Sequence, residues 1–66
     1  MIPPWQKHSE IPVGSIGWRM GYGKDYWISF DDWFKRKSEG HKKSYAAEHP
    51  EPYGWEGFYR RKGVAV

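Results

Sequence analysis

A chain of 66 residues with no cysteine has room for one small domain, and it excludes disulfide staples, a thiolate nucleophile and a zinc finger. The longest uncharged run, Ile11 to Trp18, is broken by Pro12, Gly14 and Gly17; this excludes a membrane span and the apolar stretch of a signal peptide, and makes a cytoplasmic setting the expectation. The net charge of +3 is uneven, since residues 1–34 carry three basic and four acidic groups while residues 35–66 carry eight and four.

A cationic C-terminal half suits either a phosphate backbone or an acidic protein face. The core has to be built from rings. Leucine is absent and the β-branched aliphatics number seven, against five Trp, five Tyr and three Phe. Each ring can bury on the order of 150 to 250 Å², so a body this small is expected to leave two or three of them partly exposed.

In chain order, residues 1–12 hold three prolines and no helical period, which predicts an extended arm pinned by Ile2 and Trp5. Residues 13–24 place glycine at 14, 17, 21 and 23, a pattern for tight turns, a short hairpin or an irregular loop. Trp18 and Met20 are expected to face the core there, with Arg19 outward. The glycine spacing matches neither a dinucleotide fingerprint nor a phosphate-binding loop.

From Asp25 to Lys37 the rings of Tyr26, Trp27, Phe30, Trp33 and Phe34 fall within an arc of about 120° at helical spacing. Asp31 stands four residues before Lys35 and Asp32 four before Arg36, the carboxylate-first order that supports a helix. A full helix leaves only Ile28 on the wrong face. The competing reading makes Tyr26, Ile28 and Phe30 one face of a short strand, followed by a helix capped at Ser29. Ser38 then caps a second, basic helix over 39–48, thin on its apolar side (Tyr45, Ala46, Ala47), offering His41, Lys42 and Lys43 to solvent and stopped by His49-Pro50. Over 52–62 the spacing of Trp55, Phe58 and Tyr59 predicts one or two helical turns beginning at Pro52, weakened by Gly54 and Gly57 and packed back on the aromatic face of the first helix. Residues 63–66 form a short tail.

The fold class expected is therefore mostly α: a small single domain of two to three short helices with an extended N-terminal arm, a Gly-rich turn or hairpin region and an aromatic core. His8, His41 and His49 lack the spacing of a metal site. No serine lies in a nucleophile elbow, and adjacent Asp31 and Asp32 point about 100° apart on a helix. No catalytic residue, cofactor, metal or small-molecule substrate is expected.

Cations beside rings are the more informative feature. Lys35, Arg36, Lys37, Lys42 and Lys43 form one cluster, and Tyr59, Arg60, Arg61 and Lys62 a second. Trp, Tyr and Arg are also the residues most enriched at interface hot spots. The function expected is a small non-enzymatic binding protein that docks on a larger protein or nucleoprotein assembly through Trp18, Arg36, Lys42, Lys43, Trp55, Tyr59, Arg60 and Arg61. The alternative is a nucleic-acid-binding module in which the same cations neutralise phosphates and the rings stack on bases. In size and style the chain is similar to phage and mobile-element inhibitors of bacterial defence complexes, such as anti-CRISPR proteins, although no motif of any family matches its residues.

Overall fold

Rings spaced three and four apart favour a helix, and the longest helix of the chain is the one that carries them. A computed structural model describes residues 1–64. Its elements are α1 (Pro4–Lys7), a 3₁₀ turn (Ile16–Trp18), α2 (Gly21–Lys35), α3 (Glu39–Glu48) and a second 3₁₀ turn (Arg60–Lys62). The chain is mostly helical, at 55%, with no strand among the described residues. That settles the choice over residues 25–30 in favour of helix. No helix among the described residues is long and apolar enough to cross a membrane. The chain divides into two units, Met1–Trp33 and Phe34–Val66.

Unit one begins with a correction. Within the expected extended arm, Pro3 and Pro4 open one turn of helix, because proline at a first helical position lacks only an amide that would have no partner there. The amides of Gln6 and Lys7 both donate to the Pro3 carbonyl at 3.0 Å. The two prolines are buried, Trp5 is half-buried and the Ile2 side chain is exposed, so Ile2 is held through its carbonyl, which accepts the Tyr26 hydroxyl, and not through its side chain. Next, Ser15 caps the 3₁₀ turn by accepting the Gly17 amide on its hydroxyl at 2.9 Å. Trp18 in that turn is buried, with its ring edge against Trp27 at 5.5 Å, whereas Met20 is exposed like Arg19.

α2 starts four residues before Asp25 and stops two short of Lys37. The early start comes from Gly23. A β-carbon there would lie 2.2 Å from the Gly17 carbonyl oxygen and 2.8 Å from Ile11 Cδ1, so this glycine permits a close approach inside a helix rather than a turn. Ile28 is exposed to 55%, as the helical reading requires. Phe30 is fully buried, flanked by Tyr26 at 6.5 Å and Trp33 at 5.7 Å. Burying a phenyl ring is worth about 1.5 to 3 kcal/mol, and each ring pair about 0.5 to 1.5 more.

Unit two is centred on Phe34, which is buried against Tyr45 at 5.6 Å and Tyr59 at 6.0 Å. The Ser38 hydroxyl accepts the His41 amide at 3.2 Å at the start of α3, Glu39 stands in the first turn, and His49 closes the other end with Pro50 behind it. Ala46 is the one buried residue of this helix.

Beyond Pro50 the expected helix over 52–62 is replaced by two turns and a 3₁₀ turn. The Trp55 amide donates to Pro52 at 3.0 Å and the Phe58 amide to Trp55 at 3.1 Å. Gly54 and Gly57 occupy the third positions with φ of 93° and 85°, and no other residue there has positive φ, so both are type II turns. These glycines do more than weaken a helix; they exclude one. The 3₁₀ turn then ends with the Val64 amide on the Tyr59 carbonyl at 3.1 Å and the Gly63 amide on Arg60 at 3.0 Å, the paired bonds of a Schellman closure. Of the expected tail, Ala65 and Val66 lie outside the described residues.

Candidate partner-binding surface

The segment after α3 is held by side chains turned inward onto its backbone. Glu51 accepts the Gly57 amide on Oε1 at 3.0 Å and the Tyr59 amide on Oε2 at 2.8 Å. The buried Tyr59 hydroxyl donates to the His49 carbonyl at 2.6 Å, and Glu56 accepts the Gly54 amide at 2.9 Å. Burial, and then the nearby Glu51 carboxylate, push the Tyr59 phenol well above its usual value. With the backbone tied down this way, Tyr53 stands outside at 98% exposure.

The eight expected partner-binding residues divide by exposure. Arg36, Lys43, Arg60 and Arg61 are exposed, and Lys42 is half-buried with its ammonium 3.9 Å from a Glu39 carboxylate oxygen. Trp18, Trp55 and Tyr59 are buried; their rings serve the interiors of their units and are not offered at the surface. Arg60 and Arg61 share one 3₁₀ turn, where Arg61 Nη1 also donates to the Glu56 carbonyl at 3.3 Å. Lys62 lies over the Phe58 ring at 4.5 Å, a cation–π contact that turns its charge toward the unit. The residue missed in the sequence is Tyr53. Its signal was the Pro-Tyr-Gly order at 52–54, which places the ring at the outer corner of a type II turn.

Unit one holds a second polar cluster. The Tyr22 hydroxyl donates to Glu10 Oε2 at 2.8 Å, and His8 Nδ1 lies 3.6 Å from the same oxygen. The His8 ring meets Tyr22 edge-on at 4.7 Å and Tyr26 at 5.5 Å. A bond from its own backbone amide, then the bond from Tyr22, hold the Glu10 carboxyl below its ordinary range, and the same contact raises the Tyr22 phenol. This cluster ties the segment after α1 to the first turn of α2. Among the described residues no three His, Asp or Glu side chains gather into a metal-holding group.

Comparison with known proteins finds no matching family model, no similar curated protein and no similar solved structure. Function has to be argued from the geometry.

Proposed function

We propose that the chain is a small non-enzymatic binding protein that docks on a larger protein or nucleoprotein assembly, using the exposed cations of unit two against an acidic face. The observation that carries this reading is the division between cations and rings. Arg36, Lys43, Arg60 and Arg61 are exposed, while Trp18, Trp55 and Tyr59 are buried. Binding to unpaired bases needs both a cationic track and several open rings, whereas docking on an acidic protein surface needs the cations and one or two anchors. An inhibitor of a bacterial defence complex would be one docking protein of this kind.

The test is titration of the protein with single-stranded and duplex oligonucleotides at about 50 and 200 mM salt, read by tryptophan fluorescence. Absence of binding at low salt supports docking on protein. Micromolar binding that falls about a hundredfold or more at the higher salt overturns it in favour of phosphate recognition.

A further inference from the structure

Residues 50–53 form a short run outside helix and strand whose ordering uses none of its own outward side chains. Proline fixes φ near −65° at 50 and 52, and the residue before a proline favours extended backbone, which applies to Glu51; His49, at φ −128° and ψ 71°, bends the chain into the run. Tyr53, second in a type II turn, continues the same backbone range. Three contacts pin the run: the Tyr59 hydroxyl on the His49 carbonyl, the Glu51 carboxylate on two amides, and the Trp55 amide on the Pro52 carbonyl. Pro50, Pro52 and Tyr53 are left exposed, Tyr53 almost completely.

We infer that residues 50–53 are a preorganised docking epitope for a partner protein whose groove is lined by aromatic rings and accepts extended, proline-containing chain. Such grooves take proline between their rings and gain from a ligand already fixed in the extended form. Here the carboxylate of Glu51 is turned into unit two, so it does not oppose entry into an apolar groove. Tyr53 supplies a large ring with a polar tip, the composition of an interface anchor. Because the backbone is fixed beforehand, association does not have to order it.

The proposal rests on the docking reading above and names the chemistry of the partner. Its test uses the whole protein with two isolated probe domains that have aromatic-lined proline-binding grooves, a WW domain and a Src-homology 3 domain, titrated by isothermal calorimetry. Binding to either, weakened at least about tenfold by Tyr53→Ala and unchanged by Tyr22→Ala, is the expected result. Tyr53→Ala should keep the wild-type ellipticity and melting midpoint, because its side chain stands in solvent. Binding to neither probe overturns the proposal, as does binding that Tyr53→Ala leaves intact. Self-association in sedimentation that Tyr53→Ala abolishes also overturns it, by making a second copy of the chain the occupant. Steeply salt-dependent oligonucleotide binding removes the docking reading itself. A negative groove result without such binding removes only the epitope.

Discussion

Glu51 holds Tyr59 by its backbone while the ring reaches back past it: the carboxylate accepts the Tyr59 amide at 2.8 Å, and the Tyr59 hydroxyl donates to the His49 carbonyl at 2.6 Å. Two residues thereby close a loop that has no regular secondary structure. Glu51→Ala leaves the amides of Gly57 and Tyr59 without their charged acceptor, and the expected loss is about 2 to 3 kcal/mol. Urea denaturation measures it. A loss below about 0.5 kcal/mol would mean that water replaces the carboxylate and that the loop is held by its rings.

Tyr59 also makes stability depend on alkali. Burial and the nearby Glu51 carboxylate hold its phenol above the ordinary tyrosine value, so its contribution is complete below about pH 10 and is lost as the pH rises beyond that. Tyr59→Phe should cost about 1 kcal/mol near neutrality through the lost hydrogen bond and should flatten the decline of the melting midpoint above about pH 10. An unchanged decline would assign the alkaline sensitivity to Tyr22 and Tyr26.

Two glycine substitutions should act in opposite directions. Gly23→Ala drives a methyl group into the Gly17 carbonyl at 2.2 Å, a backbone clash expected to cost more than about 2 kcal/mol. Gly40 in α3 has open space around it and no positive φ, so Gly40→Ala should stabilise by about 0.4 to 1 kcal/mol through the unfolded state. Thermal denaturation of both variants provides the check, and a neutral Gly23→Ala would refute the close approach.

Acid acts on unit one. The Glu10 carboxyl is held below its ordinary value by its own amide and by Tyr22, so the linked stability is present above the ordinary carboxylate range and is lost as the pH falls through the lowered value. Tyr22→Phe should move the Glu10 titration, followed by NMR, upward toward that range. A Glu10 titration unaltered by Tyr22→Phe would show that the contact does not form in solution.

How much of this was legible varies with the kind of signal. α3 could be read nearly to the residue because both its ends carry local chemistry, a serine cap at 38 and a proline behind His49. α2 was legible through its rings but not at its start. Gly21 and Gly23 read as turn formers; Gly21, at φ 76°, does take left-handed backbone where α2 begins, whereas only the tertiary approach to Gly17 shows why a helix passes through Gly23. At the C-terminus, the spacing of Trp55, Phe58 and Tyr59 fits a helix and fits two successive type II turns equally well; the left-handed backbone at Gly54 and Gly57 decides for turns. On the candidate surface, charge predicted exposure for Arg36, Lys43, Arg60 and Arg61. Ring type predicted nothing comparable, since Trp55 and Tyr59 are buried a few residues from the fully exposed Tyr53.

The edge contact between Trp18 and Trp27, with centroids 5.5 Å apart and planes inclined at 63°, gives unit one an optical identity. Indoles that close are expected to share their excitation and to add a split circular-dichroism band to the helical signal. That contribution should fade when the 3₁₀ turn leaves α2, and Trp27→Phe should reduce it. Followed during denaturation alongside the helical band, it reports on when unit one comes apart.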